Sequence, residues 1–462
     1  MFTPEQLTTI THGRLIGPET ASVSGISTDS RTIKPGELFI PLRGDRFDGH
    51  DYLNGLTERR IQVSLCNESW LQHQQPPATL SCIAVRDTLR ALGDLAAAFR
   101  KRFALTMIGV TGSNGKTTTK EMLAAILGQV DQGLKTSGNL NNLIGLPQML
   151  FQLKPEHCWA VLEMGMSEPG EIDRLAEIAC PSIGIVLNAF PAHLQSMGSV
   201  EAVAQAKGEL LQRIQDGGLA VVNADDPRIA SLHQNPSARR TSFGIKRGEV
   251  RAEAVQAIGT EGQAFKLVTP KGSIELRLKA LGQHNIYNAL AAAAGLLELV
   301  GLETIAEGLE AFVPYTGRFH LETLSNNRLL IDDSYNANPA SCAAALATLQ
   351  GIKGNRRAFV ALGDMLELGR DELELHRQLG IQAASVADRL YLLGSLTKET
   401  AGAAAEAGLA SEAIISATSH EEIARDIHTH AGNGDLILLK GSRGMKMEKI
   451  AALLRAADGQ ED

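Results

Sequence analysis

The chain has 462 residues, of which 44% are hydrophobic, 21% charged and only 4% aromatic. That length exceeds one ordinary core and implies about two to four domains, and the composition excludes global disorder. The scarcity of aromatic stacking platforms and a net charge of −8 exclude a nucleic-acid binder that grips phosphate backbones non-specifically, though a local pocket can still be positive.

The N-terminus, Met1-Phe2-Thr3-Pro4-Glu5, has no basic region followed by an apolar run, so no signal peptide is read there. Short apolar runs at 36–42 and 61–65 make the region 1–83 a small α/β domain, with a surface loop at 72–77. A central region, 84–313, opens with the strand 104–110, a Gly-rich turn and a helix at 116–127. It continues with strand 159–163, helix 171–179, strand 182–188, helix 200–214 and strand 219–223. Alternation of this kind builds a parallel sheet covered by helices. From about 240 to 280 the pattern changes to short alternating strands, an antiparallel appendage, and helix 285–300 closes the region. The stretch 288–298 is the most apolar, but it is shorter than the ~20 residues of a membrane span. A third region, 314–462, carries strands at 329–333, 358–362, 389–393, 413–416 and 435–440, a second doubly wound sheet. The cysteines Cys66, Cys82, Cys158, Cys180 and Cys342 are odd in number, widely spaced and without a C-x-x-C, as expected of reduced thiols in a cytosolic protein.

The sharpest chemical signal is Thr111-Gly112-Ser113-Asn114-Gly115-Lys116-Thr117-Thr118, set between a buried strand and a helix. Its glycines let backbone N–H groups face phosphate oxygens, the helix N-terminus adds positive potential, Lys116 would reach the β- and γ-phosphates, and Thr117 would hold Mg²⁺. Val110 stands where the strict phosphate-loop pattern has its first glycine, which points away from GTPases and common motor ATPases. The bland alternative is a Gly-rich turn that binds nothing. Glu163 ends the next strand, where open α/β sheets place ligand groups. His193 follows another strand, a position at which histidine more often serves structure than ligation. Lys207 reads as an ordinary helix-surface lysine. Asp332-Asp333-Ser334-Tyr335-Asn336-Ala337-Asn338-Pro339 crowds polar groups after the first strand of the third region, as a docking site or as a solvated Asx-rich turn. Arg318 lies near the hinge of regions two and three, suited to meet a phosphate when domains close.

Taken in order, the Thr-Gly-x-x-Gly-Lys-Thr loop, Glu163, His193, Lys207, His284-Asn285-x-x-Asn288, Gly317-Arg318 and Asp333 resemble the landmarks of the Mur ligase family, covering about 25 to 450. Further motifs look like its branch that adds D-Ala-D-Ala to a UDP-N-acetylmuramoyl (UDP-MurNAc) tripeptide. These are Thr28-Asp29-Ser30-Arg31, the run from Leu42 to His50, Gly138-Asn139-Leu140-Asn141-Asn142, Asp333 to Pro339, Leu362 to Gly369, and Lys440-Gly441-Ser442-Arg443. The D-N-P-R motif of the sister that adds the third residue is missing. Ala189-Phe190 departs from the family's usual aliphatic-Gly before Pro191.

The resemblance implies three α/β domains: an N-terminal one for the UDP end, a central P-loop ATPase with a parallel sheet, and a C-terminal Rossmann-like one for the dipeptide. It implies ATP and Mg²⁺ as cofactors, with Lys116, Glu163, His193 and Lys207 catalytic, and Thr117, Glu163, His193 and Lys207 holding metal, Lys207 as a CO₂-derived carbamate. ATP would meet Thr111 to Thr117, Asn285, Asn288, Arg318 and Asp333. The other substrates would meet Thr28, Asp29, Ser30, Arg31, Asn139, Asn142, Tyr335, Asn336, Asn338, Ser442 and Arg443. It further implies a cytoplasmic monomer acting on small molecules, with no nucleic-acid partner and no membrane span. Three rivals carry different expectations. A folylpolyglutamate synthase would lack the first domain, a P-loop kinase or regulatory NTPase would need no second amino-acid substrate, and a nucleotide-sugar binding module would not need Lys116, Thr117, Glu163 and His193 intact.

Overall fold

The computed structural model describes residues 1–18, 22–44, 46–192 and 194–459. They fall into two units, one comprising Met1–Gly109, Asp131–Met166 and Glu171–Ser182, the other Val110–Val130, Ser167–Gly170 and Ile183–Asp462.

In the first unit a five-stranded sheet runs in the order Arg14–Ile16, Ser81–Val85, Val63–Asn67, Glu37–Phe39, Gly25–Ser27. All its pairings are parallel except that of the edge strand Arg14–Ile16. Successive strand residues point to opposite faces, and the core divides accordingly. Leu38, Leu65 and Ile83 pack on one side with Leu92 and Leu95 of helix Thr88–Arg100, while Phe39, Cys66 and Cys82 pack on the other with Leu53 and Leu56. The boundary expected at 83/84 therefore falls inside a fully buried strand. The helix beyond it, capped by the Asp87 carboxylate accepting from the N–H groups of Leu89 and Arg90, belongs to the same core. The first unit also holds the parallel pair Gly133–Lys135 and Trp159–Glu163.

In the second unit one run of strands is ordered Gly272–Leu278, Gln263–Thr269, Val250–Ala257, Arg239–Gly244, Leu219–Asn223, Ile183–Val186. The antiparallel appendage expected from about 240 begins only at Val250. Arg239–Gly244 pairs in parallel with Leu219–Asn223, because the chain crosses over through helix Pro227–Ala230 before returning to the sheet. Helix Gln283–Leu296 is buried almost all round, which accounts for its apolar sequence. Among the described residues no helix is long and apolar enough to cross a membrane.

The last sheet of this unit is ordered His320–Thr323, Leu329–Asp333, Leu436–Lys440, Ala358–Gly363, Arg389–Leu393, Ile414–Ala417. Only its first strand is antiparallel to its neighbour. That edge strand was not foreseen, since His-Leu-Glu-Thr offers a single aliphatic. Adjacent residues again divide between two cores: Ile331, Val360, Leu392 and Leu438 on one face, Leu330, Phe359, Tyr391 and Ile437 on the other. At the carboxyl edge the buried Asp364 carboxylate accepts from the N–H groups of Ser395, Leu396 and Thr397, each at 3.0 Å, and so caps helix Thr397–Glu406. Asp364→Ala leaves three donors without that acceptor. A loss of about 2–4 kcal/mol is expected, read as a lower denaturation midpoint.

Candidate active site

Strand Thr106–Thr111 delivers the chain to the glycine-rich loop, and helix Lys116–Leu127 starts directly after it. Gly115 caps that helix at φ +88°, a conformation L side chains rarely adopt. A Cβ there would also stand 2.2 Å from Oδ1 of Asn288, so the position demands glycine twice over. One carboxamide clamps the neighbouring residue from both sides. The Asn114 N–H donates to Asn188 Oδ1 at 2.9 Å, and the Asn114 carbonyl accepts from Asn188 Nδ2 at 3.1 Å. The Ser113 N–H donates to the Asn188 carbonyl at 3.1 Å, its hydroxyl to the Phe190 carbonyl at 3.2 Å. Lys116 curls back over the loop, its Nζ donating to the Gly112 carbonyl at 2.6 Å. Thr111 is buried in the strand.

Asn285 and Asn288 lie one turn apart on helix Gln283–Leu296, both buried. Asn285 Nδ2 donates to the Leu281 carbonyl at 2.7 Å, Asn288 Nδ2 to Asn285 Oδ1 at 3.0 Å, and Asn288 Oδ1 accepts from Thr119 at 3.4 Å. The pair expected at adenine thus ties this helix to the helix behind the phosphate loop. Beside it, burial lowers the His284 imidazole to about 4, with Asp333 opposing that shift and Lys440 adding to it.

The reading of Lys207 as a surface lysine is wrong: it is 3% exposed. It shares the inward face of helix Val200–Gln212 with Val203, Leu210 and Leu211, three and four residues away. Burial, and then repulsion from Lys116, push its amine well below the usual lysine range.

The linker and the last sheet supply the other groups of this unit. Arg318 Nη2 donates to the Thr117 hydroxyl at 3.3 Å, while its guanidinium lies over the Tyr335 ring, 4.0 Å from the centroid. Arg443 approaches the same ring at 5.6 Å, and its N–H donates to Asn336 Oδ1 at 3.2 Å. Both oxygens of Asp333 are engaged: Oδ1 accepts from the Phe319 N–H at 3.1 Å and Oδ2 meets Lys440 Nζ at 2.6 Å. Lys440 also donates to the Asn336 carbonyl at 3.0 Å. Asn338 Nδ2 donates to Asn114 Oδ1 at 2.7 Å, and Asn114 Nδ2 returns a bond at 3.2 Å. The Ser442 hydroxyl accepts from the Leu366 N–H at 2.8 Å and donates to the Ala337 carbonyl at 3.3 Å.

In the first unit, Glu163 ends its strand in a buried position, its N–H donating to the Thr136 hydroxyl at 2.9 Å. Asn142 Oδ1 accepts from the N–H groups of Ile144 and Gly145 and so caps a helix; Asn139 accepts the Asn141 N–H through its backbone carbonyl. Thr28 accepts from Gln148 Nε2 at 2.9 Å. Arg31 pairs with Asp29 at 2.8 Å through hydrogen bonds that lower the Asp29 carboxyl to about 2, yet the guanidinium stays largely exposed, and half-buried Ser30 sits between them. His193 and Asp45 lie outside the described residues.

Three functional positions escaped the sequence reading. Asn188 ended an expected strand and Lys440 stood in a quoted motif, both without a role. His376 is fully buried and accepts the Met365 N–H on Nε2 at 3.0 Å, while its Nδ1 donates to the Glu372 carbonyl at 2.6 Å, which holds the loop after strand Ala358–Gly363. A lone histidine in a helix gave no signal of this. A cavity of about 690 Å³, lined in part by Gln263, Arg277, Phe319 and His320, contains none of the expected site residues.

Three family models match the chain: the Mur ligase middle domain over residues 110–296, the Mur ligase glutamate ligase domain over 317–443, and the Mur ligase family catalytic domain over 22–100. The chain is 36% identical to the UDP-N-acetylmuramoyl-tripeptide–D-alanyl-D-alanine ligase of Escherichia coli K12 over 463 residues, covering 98% of each. It superposes on a crystal structure of MurF from Acinetobacter baumannii with a TM-score of 0.89 at 35% identity, covering 98% of this chain and 99% of that one. The MurF ligase of Thermotoga maritima in complex with ADP gives 0.83 at 26% identity, with 95% and 98% covered.

The environment of His284 predicts an acid-side weakness. Below 6.5, the ordinary histidine value, the unfolded chain binds a proton that the folded imidazole, at about 4, refuses. Stability therefore falls as pH drops through that window, by about 1–2 kcal/mol at about pH 5. His284→Gln should flatten this dependence in urea unfolding measured across the window.

Proposed function

The chain belongs to the Mur ligase family, and from that premise we propose that it is the ATP-dependent ligase joining D-Ala-D-Ala to UDP-MurNAc-tripeptide. The product, UDP-MurNAc-pentapeptide, feeds peptidoglycan synthesis. The observation that carries this reading is 36% identity over nearly the full length of a ligase of that name, on a chain whose Gly115-Lys116-Thr117 loop opens a helix through a left-handed glycine. The three-domain match, which includes a model over residues 22–100, disfavours the folylpolyglutamate rival, which lacks an N-terminal UDP domain.

A carboxylate is a poor electrophile, so amide formation near neutral pH requires activation. In the proposed reaction the tripeptide carboxylate attacks the γ-phosphorus of ATP, giving an acyl phosphate and ADP. The amine of D-Ala-D-Ala then attacks the acyl carbon, and phosphate leaves as the amine loses its proton. Both partners of the first step are anionic. Lys116 offsets their repulsion, and Arg318, held on Tyr335 and bonded to Thr117, brings a second cation to the same loop. Arg31 would meet the diphosphate of the UDP end, and Ser442 and Arg443 the dipeptide. The protein would act in the cytoplasm as a monomer.

The residues fit Mg²⁺, a hard cation that keeps water and phosphate ligands and needs few protein oxygens. On the family's pattern Thr117, Glu163, His193 and a carbamylated Lys207 would supply the protein ligands. When bound, the ions supply charge neutralisation on the phosphates. The Lys207 environment supports the modification. Burial and then Lys116 lower the proton affinity of this amine and so favour the neutral form that adds to CO₂; its nitrogen forms a bond to carbon and releases a proton, leaving carboxylate oxygens where an ammonium could not ligate.

Two experiments test the reading. Phosphate release from ATP should require UDP-MurNAc-tripeptide and D-Ala-D-Ala together and yield the pentapeptide mass. Lys116→Ala should lower it by at least about a hundredfold, and release indifferent to both substrates would refute the assignment. ¹³C-bicarbonate should place a carbamate resonance on the wild-type protein that is missing from Lys207→Arg; equal spectra would remove the carbamate.

A further inference from the structure

We propose that Asn114 and Asn338 form a closing clasp that docks the dipeptide-binding domain onto the phosphate loop and keeps water from the acyl phosphate. This rests on the ligase reading and deepens it. The two side chains, 224 positions apart, exchange two hydrogen bonds, at 2.7 and 3.2 Å.

Their orientation is set from both ends. Asn338 is the N-cap of helix Pro339–Lys353, and its Oδ1 accepts the Ser341 N–H at 2.9 Å, so its Nδ2 must be the group that donates to Asn114. Asn114 has its backbone N–H and carbonyl both taken by Asn188, which leaves its side chain to face outward from the loop. A residue of the ATP-binding loop is thereby bonded to the cap of a helix in the domain that receives the amine.

Another contact across the same seam is Arg318 on Thr117, three residues along the loop. That bond involves a cation with work to do on phosphate. The Asn114–Asn338 pair is neutral, so it neither repels nor competes for phosphate, and two amide hydrogen bonds are weak enough to open in each turnover. Its loss should let water reach the mixed anhydride. Hydrolysis then breaks the acyl–oxygen bond, returning the tripeptide carboxylate and phosphate and releasing a proton, with ADP already formed.

The readout is the ratio of ADP released to amide formed, with KM for each substrate. Asn338→Ser keeps an N-cap oxygen and removes the carboxamide; Asn114→Ala removes the other half. Each single variant, and equally the double, should raise the ratio from one ADP per amide by about threefold and raise KM for D-Ala-D-Ala. A purely structural role would lower the unfolding midpoint and kcat but leave the ratio at one. If wild type forms amide and every variant keeps a ratio of one, or the double variant is worse than either single by their product, the clasp is overturned alone. Wild type that forms no amide overturns the ligase reading with it.

Discussion

The placement of the Lys116 cation near the buried Lys207 amine is the constraint around which the site is organised. One ammonium curls over the phosphate loop; the other amine is buried, and burial and then the first cation lower its affinity for a proton. Such an arrangement is unfavourable until anions arrive. It is complementary to a state rich in negative charge, in which triphosphate and carboxylate are present together, rather than to the empty protein. Arg318 adds a second cation from the far side of the hinge.

Around this charge the protein places carboxamides. Asn188 clamps the loop backbone, Asn288 fills the space that only a glycine at 115 leaves, Asn285 orients Asn288, and Asn338 reaches the loop from the last domain. An amide offers both a donor and an acceptor without net charge. Carboxylates in these places would repel phosphate, and further cations would deepen the existing repulsion. Where a full charge is needed for structure, it is neutralised locally, as Lys440 is by Asp333 at the carboxyl edge of the last sheet. That pair and the His376–Met365 bond hold the loops of this edge in place without taking part in the field at the phosphate loop.

The sequence by itself determined the architecture and the chemistry. Continuous apolar runs marked the strands Trp159–Glu163, Leu219–Asn223, Leu329–Asp333 and Arg389–Leu393 to the residue, because strands buried on both faces carry a pattern that is local. The glycine-rich turn before Lys116 was legible for the same reason: its backbone conformation is written in adjacent residues. What failed was non-local. The burial of Lys207 depends on elements that pack over its helix, and the extent of the first layer depends on helix Thr88–Arg100 returning to a core built earlier in the chain. The parallel entry of Arg239–Gly244 into its sheet depends on a crossover. The tying of Asn285 to Asn288, and of Asn114 to Asn338, depends on which atoms meet across the fold. Residue type and spacing name the groups available to a site; only tertiary structure decides which of them face the substrate and which are spent on one another.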